Sequence, residues 1–170
     1  MTNLIPGAEP WSHVGEGAHG ALVVHGFTGN PGSMRGVAEA LAAAGFHVEM
    51  PLLPGHGTTV EDMLPTRWAD WHRGAEAAYQ ALAARAQKVV VVGLSMGGAL
   101  TLRLGADHPE IAGLVCINPA TQPQAPEVVA MVQGMIDGGT EVMPAIGSDI
   151  ADPDAHESAY EATPLAPLAR

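Results

Sequence analysis

The chain has 170 residues, 47% of them hydrophobic, which is long and apolar enough for one globular domain and excludes a disordered chain. With 7 Lys and Arg against 18 Asp and Glu, the formal net charge is −11, which excludes nucleic acid and anionic lipid surfaces as partners. The 8 histidines lack the spacing and the Cys or Glu neighbours of a zinc site, so we expect no metal.

Membrane association is also not expected from the sequence. The longest apolar stretches, such as residues 89–92, fall far short of the ~20 residues that a bilayer-crossing helix needs. No basic-then-apolar signal segment opens the sequence. We therefore expect a cytoplasmic protein without stable membrane anchoring.

Short β-branched runs alternate with Ala-rich helical stretches, which predicts an α/β fold with a mainly parallel sheet and helices on both faces. The first buried strand is predicted at residues 21–24, and a Gly- and Pro-rich loop at residues 25–32 follows it. A helix capped by Ser33 should come next and run through about residue 44, with Gly45 at its end. Its apolar face is formed by Val37, Ala38 and Leu41.

The second strand is predicted at residues 46–50, before a turn-rich connection at residues 51–59. From residue 67 to residue 86, apolar side chains recur at spacings of three or four, which predicts a helix. Trp68 and Trp71 belong to this periodic set, so we interpret them as core anchors rather than as side chains that stack on a ligand.

A third strand is predicted at residues 89–92, where four valines follow one another. The sequence Gly-Leu-Ser-Met-Gly-Gly comes next at residues 93–98, and then a helix that must end near Pro109. Another strand is predicted at residues 114–117. Beyond Pro119 the pattern changes, and we interpret the segment after it as an insertion rather than another βα unit.

The motif Gly93-x-Ser95-x-Gly97 is the strongest sign of chemistry in the sequence. A serine hydroxyl is a poor nucleophile, so an enzyme must expose it beside a base and near donors that stabilise an oxyanion. Glycines on either side permit a strained elbow, and the helix N-terminus favours developing negative charge. A turn serine is the alternative interpretation, but the strand before the motif and the helix after it favour Ser95 as the nucleophile.

The loop after the first strand lies where a second oxyanion donor belongs in chain order. We expect the backbone N–H groups of Phe27 and Met96 to form the oxyanion hole. His25 precedes the nucleophile, the wrong order for the base of such an enzyme, so we expect it to pack within the loop. For His56, a side chain that stabilises its turn is the favoured interpretation.

Four motifs in this order resemble the bacterial monoacylglycerol lipases and related small carboxylesterases: His-Gly-Phe-Thr-Gly at 25–29, Leu-Pro-Gly-His-Gly-Thr at 53–58, Gly-Leu-Ser-Met-Gly-Gly at 93–98 and Ala-Tyr-Glu-x-x-Pro at 159–164. The resemblance covers nearly the whole chain. It implies an α/β-hydrolase fold and hydrolysis of monoacylglycerols or other short-to-medium-chain acyl esters through an acyl-enzyme on Ser95. It also implies that no cofactor is needed.

The resemblance further implies a division of the chain. Residues 1–119 would form the N-terminal part of the core, residues 120–162 a small cap, and residues 163–170 the start of the return to the core. Ile146 and Glu157 match positions that line the substrate pocket in that family. For Glu157, an exposed carboxylate in the first turn of a helix is an equally open interpretation.

The sequence departs from the family where the triad should be completed, since the acid and histidine of such hydrolases come after later strands. We find no counterpart of the triad Asp or His before Arg170, and we expect little or no activity from these 170 residues alone. Acidic residues at 149–154 with His156 preserve the chain order, but a solvated loop is the favoured interpretation. The strand at 114–117 would be a bare edge that needs the missing segment or a partner chain.

Two alternatives to ester hydrolysis stay open. The chain is an inactive fragment or a non-catalytic module that binds acyl ligands if nothing supplies the base, because loss of the base removes most of the rate. A thioesterase or a carbon–carbon bond hydrolase would use the same elbow and loop, since the fold does not choose the scissile bond.

Overall fold

The structure, a computed structural model, describes residues 3–145, 151–152 and 158–169. Its main sheet has the strand order β1-β3-β2-β4-β5, with β1 at Trp11–His13, β2 at His19–Val24, β3 at His47–Met50, β4 at Lys88–Leu94 and β5 at Gly113–Ile117. β1 runs antiparallel to β3, whereas the other neighbours are parallel. The predicted α/β fold with a mainly parallel sheet is therefore confirmed.

Helices cover both faces of this sheet, with α1 (Arg35–Ala43) on one face and α3 (Trp68–Ala83) and α4 (Met96–Asp107) on the other. The chain also forms two helices away from the sheet, α2 (Val60–Met63) and α5 (Pro126–Asp137). Successive residues of β2 point to opposite faces, so Leu22 packs with α3 and α4 while Val23 packs on the side of α1. Along the described ranges, we find no helix that combines the length and the apolar character required for a membrane span.

The start of α1 differs from the prediction. Pro31–Met34 forms a 3-10 turn whose cap is Asn30, and Ser33 lies inside that turn, where its hydroxyl donates to the Asn30 carbonyl at 2.9 Å. Ser33 therefore does not cap α1, because the Asn30 side chain already accepts from the Gly32 N–H at 2.9 Å. On the predicted apolar face of α1, Ala38 is buried and Leu41 packs against the core, but Val37 is 37% exposed.

The end of α1 explains why β3 begins one residue later than predicted. Gly45 has φ +90°, as the predicted stop requires, and its N–H donates to the Ala42 carbonyl at 2.9 Å. Phe46 then donates to the Leu41 carbonyl at 3.1 Å, which completes a Schellman motif. Phe46 thus belongs to the helix end, and the strand starts at His47.

The long helix α3 ends at Ala83, three residues before the predicted limit. Its N-terminus is closed by Asp70, which accepts from the Arg67 N–H at 2.9 Å. Trp71 is a core residue with 4% exposure, as predicted, whereas Trp68 is only partly buried at the edge of the same cluster. The tryptophans therefore pack against the sheet and its loops.

After β5 the chain leaves the main sheet. A separate antiparallel pair, β6 (Val142–Pro144) and β7 (Ala162–Pro164), comes after α5. No residue of α5 is buried among those that the structure describes in it. The predicted pocket residues Ile146 and Glu157, like His156, lie outside the described residues.

The strand β5 forms one edge of the main sheet. Its Leu114 and Val115 side chains are 40% and 50% exposed, so apolar surface accompanies the unpaired strand edge. Such an edge pairs readily with a strand of another chain. We therefore expect the isolated chain to self-associate at micromolar concentration, and a Val115→Lys variant to stay monomeric in sedimentation velocity.

The exposed Val14 supplies the control for that measurement, because it is 71% exposed but lies outside the strands of the sheet. A Val14→Lys variant adds the same charge, yet it should self-associate as the unmodified chain does. If both variants are monomeric, the added charge prevents association wherever it is placed, and β5 is not the surface responsible.

Candidate active site

Ser95 occupies the turn between β4 and α4 and is exposed to solvent. Its backbone angles are φ 53° and ψ −113°, a conformation that costs a non-glycine residue energy and that is found at functional turns. The turn is tied to the end of β5, because the Ser95 N–H donates to the Ile117 carbonyl at 2.9 Å. The serine is thus presented at a tight bend, as the motif predicts.

The glycines of the motif are required by the close packing of this bend. A Cβ atom on Gly93 would overlap the carbonyl oxygen of Gly97, and one on Gly97 would overlap the carbonyl oxygens of Val24 and His25. Since these obstacles are backbone atoms, they cannot rotate away as a side chain does. The start of α4 therefore lies directly against the end of β2 and the loop after it.

That loop brings Gly26 and Phe27 beside the serine. A Cβ on Gly26 would lie 3.5 Å from the Cβ of Ser95 and 3.4 Å from the Leu94 carbonyl oxygen. The backbone N–H groups of Phe27 and Met96 form no hydrogen bond with any other described residue. Two unpaired amides from two different segments thus flank the turn.

His25 is fully buried beneath this loop. The Leu53 N–H donates to its Nε2 at 3.1 Å, and its Nδ1 donates to the Gly26 carbonyl at 2.9 Å. Burial, followed by the repulsion that a charged His56 would exert, lowers the pKa of His25 to about 3. Both ring nitrogens are occupied and the ring is neutral, so His25 packs within the loop as predicted and is not a base for Ser95.

His56 is also buried and supports its own turn, as predicted. Its Nδ1 donates to the Pro54 carbonyl at 3.0 Å, and burial lowers its pKa to about 4. Its ring meets those of His25 and Phe27 edge to face, with centroids 4.9 and 6.3 Å apart. The loop at residues 25–32 therefore rests on a layer of aromatic and imidazole rings.

A segment distant in sequence holds the other side of the loop. The Asn30 amide donates to the Ser158 carbonyl at 3.0 Å, and the Tyr160 N–H donates to the Thr28 carbonyl at 3.1 Å. The Tyr160 hydroxyl donates to the Gly55 carbonyl at 2.9 Å and accepts from the Thr58 N–H at 3.1 Å. Residues 158–160 thus link the loop after β2 to the loop after β3.

The structure brings no base to the nucleophile among the residues it describes, because none of their side chains is hydrogen-bonded to the Ser95 hydroxyl. His108 lies just past the far end of α4, whose 12 residues span about 18 Å at 1.5 Å per residue. There it contacts Glu76 at 2.8 Å and Glu110 at 3.2 Å. Desolvation opposes a charged His108, but those carboxylates raise its pKa above the usual value.

A cavity of about 430 Å³ lies elsewhere, between the end of α5 and the loop before α3. Leu64, Ile136 and Ala166 contribute to its walls, whereas Ser95 and Phe27 do not. This cavity is therefore separate from the proposed reaction centre. Within the described ranges, no group of three or more His, Cys, Asp or Glu side chains is arranged to hold a metal ion.

Comparisons with known proteins agree with this geometry. A family profile described as serine aminopeptidase, S33, matches residues 18–161. The chain is 47% identical over 167 residues to the thermostable monoacylglycerol lipase of Bacillus sp. (strain H-257), covering 97% of this chain and 64% of that protein. It is 28% identical over 150 residues to a carboxylesterase of Bacillus subtilis (strain 168), covering 88% of this chain and 60% of that protein.

A solved structure of a metagenome-derived lipolytic enzyme aligns with a TM-score of 0.90 and 40% identity, covering 98% of this chain and 67% of that one. A yeast monoglyceride lipase structure at 16% identity and TM-score 0.68 supports the fold alone. These matches confirm the α/β-hydrolase fold and the resemblance to monoacylglycerol lipases and small carboxylesterases. The chain spans less than two thirds of the two curated relatives' length.

Proposed function

The chain belongs to the serine aminopeptidase S33 family of α/β-hydrolases, and from that premise we propose that it supplies the nucleophile and the oxyanion hole of a carboxylic ester hydrolase. The observation that carries the proposal is the exposed Ser95 at its strained elbow, flanked by the unpaired amides of Phe27 and Met96. The first amides of any helix lack an intrahelical acceptor, so the distinguishing feature is the unpaired Phe27 N–H, which a second segment brings beside the Met96 N–H at the start of α4.

The proposed reaction follows from that arrangement. The Ser95 oxygen attacks the ester carbonyl carbon and loses its proton to a histidine, and the Phe27 and Met96 N–H groups stabilise the resulting oxyanion. Collapse of the tetrahedral intermediate expels the alcohol, which takes up the proton, and leaves an acyl-enzyme. Water then hydrolyses the acyl-enzyme with the same histidine as base. This route needs no cofactor.

The proposed substrates are monoacylglycerols or other short-to-medium-chain acyl esters. Support comes from the 47% identical relative, which is named as a thermostable monoacylglycerol lipase. A second relative, at 28% identity, is named as a carboxylesterase. We propose Ile146 and Glu157 as pocket residues on the resemblance alone, because both lie outside the described residues.

The proposal requires an acid and a histidine from outside the described residues. We propose that a further segment or a partner chain pairs with β5 and delivers both groups to Ser95. The exposed Leu114 and Val115 of β5 support this, as do the relatives, of which the chain covers only 64% and 60%. In parallel α/β sheets, catalytic groups lie at the carboxyl ends of neighbouring strands, so a strand beside β5 would place them correctly.

The absence of a hydrogen-bonded base among the described residues favours a second candidate, a module that binds acyl ligands without cleaving them. Such a module would keep the exposed serine and the amides but would not form an acyl-enzyme. Covalent chemistry at Ser95 separates the two candidates.

We expect the chain alone to react slowly with a fluorophosphonate, and a chimera of the chain with the unmatched part of the Bacillus sp. lipase to be labelled within minutes. The added part supplies the base that activates the serine hydroxyl. Intact mass spectrometry and hydrolysis of a monoacylglycerol measure the two effects. Ser95→Ala in the chimera should abolish labelling and lower kcat by at least about 10⁴-fold.

The matched control is Ser33→Ala, which removes a hydroxyl bonded only to the Asn30 carbonyl in the turn before α1. It should leave the labelling rate within about twofold, since surface substitutions of this kind have small effects. Hydrolysis that survives Ser95→Ala, in a chimera shown to be folded by circular dichroism, would contradict the proposed function.

A further inference from the structure

The imidazole of His25 is held in one tautomer by its two hydrogen bonds. The Leu53 N–H can only donate, so the Nε2 atom that accepts from it at 3.1 Å carries no proton. In a neutral ring the proton therefore sits on Nδ1, which donates to the Gly26 carbonyl at 2.9 Å. Because the ring is fully buried, water does not compete for either bond.

The Gly26 carbonyl shares a peptide unit with the Phe27 N–H. A trans peptide is planar, and its C=O and N–H groups point in opposite directions. The described residues contain no cis peptide bond, so fixing the carbonyl toward His25 directs the Phe27 N–H away from it. Gly26 is also the point where the loop approaches Ser95, because a Cβ atom on Gly26 would lie 3.5 Å from the Cβ atom of Ser95.

We propose that His25 is a positioning residue for ester hydrolysis: its Nδ1–H holds the Gly26 carbonyl and thereby aims the Phe27 N–H at the oxyanion. This inference rests on the proposed function and deepens it, because it names the residue that orients one of the two oxyanion donors. The bond restricts rotation of the peptide before any substrate arrives. An oxyanion donor is most effective when it needs no reorganisation during the reaction.

The surrounding rings keep His25 in place. Its centroid lies 4.9 Å from that of His56, which is bonded to the Pro54 carbonyl at 3.0 Å. Phe27 packs edge to face on Trp71 with centroids 5.5 Å apart. The lowered pKa of His25, about 3, agrees with a ring that stays neutral across the working range of an enzyme. Both sides of the Gly26–Phe27 peptide are therefore fixed by packed groups.

Two variants separate positioning from mere structural support. In His25→Asn, the side-chain amide lies near the place of Nδ1 and keeps a donor for the Gly26 carbonyl, while Leu53 loses its acceptor. In His25→Gln, the longer side chain can accept from the Leu53 N–H but leaves the Gly26 carbonyl unpaired. Each variant loses one buried hydrogen bond, so urea unfolding should show similar losses of stability.

The decisive measurement is the residual dipolar coupling of the Phe27 N–H in the chain carrying Val115→Lys, the variant expected to stay monomeric. We expect His25→Asn to leave this coupling unchanged and His25→Gln to alter it, because only the second variant frees the peptide. An unchanged coupling in a folded His25→Gln variant would overturn the proposal. The amide couplings of α3 report whether each variant is folded, and this readout does not depend on activity.

Kinetics on the chimera with the Bacillus sp. lipase segment provide the second readout. We expect His25→Gln to lower kcat by about 10- to 100-fold with KM within about twofold, and His25→Asn to retain most of the rate. Equal kcat losses in both variants would also overturn the proposal. If the unmodified chimera shows no hydrolysis that depends on Ser95, the proposed function fails, while the dipolar coupling still decides the role of His25.

Discussion

Gly97→Ala is expected to destabilise the chain by at least about 3 kcal/mol, because the new methyl group displaces backbone rather than a side chain. Its Cβ would overlap the carbonyl oxygens of Val24 and His25, at the carboxyl end of the central strand β2. Relief would require α4 to move away from the sheet. Urea denaturation followed by circular dichroism should show a midpoint lowered by at least about 1 M.

Gly36→Ala is the matched control for this prediction. Gly36 lies on the exposed side of α1, and a Cβ built there has no atom within 4 Å. Alanine is the better helix former, so this variant should gain about 0.5 to 1 kcal/mol. If Gly97→Ala unfolds at the same urea concentration as the parent chain, the close contact between α4 and β2 is wrong.

The elbow could be predicted from the sequence because its geometry is local. Four valines, two glycines and a serine are enough to fix a buried strand, a tight turn and a helix start. The structure places Ser95 at φ 53° and exposed, which is the outcome that those residues imply. Its role as nucleophile and the roles of Phe27 and Met96 remain proposals.

Helix ends were harder to predict from the sequence, because neighbouring groups compete for the same hydrogen bonds. Ser33 is a good cap by residue type, but Asn30 satisfies the first amides and moves the start of α1 beyond Ser33. The dipeptide Asn30-Pro31 carried the missed signal, since Asn favours caps and Pro favours the first position of a turn. The Ser33 hydroxyl is instead bonded to the Asn30 carbonyl, and the Asn30 side chain is held in place by its bond to Ser158.

Contacts between segments that are distant in the sequence could not be predicted from the spacing of residues. The Asn30 side chain bonds Ser158 across 128 residues, and Tyr160 bonds Gly55 across 105 residues. These bonds connect the loops at residues 25–32 and 51–59 to a segment near the end of the predicted cap. The sequence shows the order of the motifs, but it does not show that residues of one motif form hydrogen bonds with residues of another.

The positioning of Phe27 depends on a similar indirect feature. His25 was predicted to pack within its loop, and the structure agrees, but its bond to the next residue's carbonyl is visible only in three dimensions. The same burial that orients the peptide keeps two histidine rings neutral, with pKa values of about 3 for His25 and about 4 for His56. That burial also makes the stability of the chain depend on pH.

The free energy of unfolding should fall by about 4 kcal/mol between pH 6.5 and pH 4.5, because His25 and His56 each gain a proton on unfolding. Their folded pKa values lie below the ordinary 6.5, so the stabilisation is complete above pH 6.5 and is lost as the pH falls toward about 4 and 3. His108 opposes this trend only slightly and only near pH 6.5, because the stability that its raised pKa contributes is fully present once the pH is below the ordinary pKa of 6.5. Carboxylates with lowered pKa values add to the loss only near and below pH 4.5.

Urea titrations at pH 6.5, 5.5 and 4.5 measure this slope, which should approach about 2.7 kcal/mol per pH unit, or two protons. His25→Asn removes one of the two buried titrating groups, so its slope should approach about 1.4 kcal/mol per pH unit. If the free energy of unfolding of the parent chain does not change over this pH range, water reaches the rings of both His25 and His56. The loop at residues 25–32 would then lack the dry support that the proposed orientation of its Phe27 N–H requires. Acid sensitivity and that orientation therefore depend on the same burial of His25.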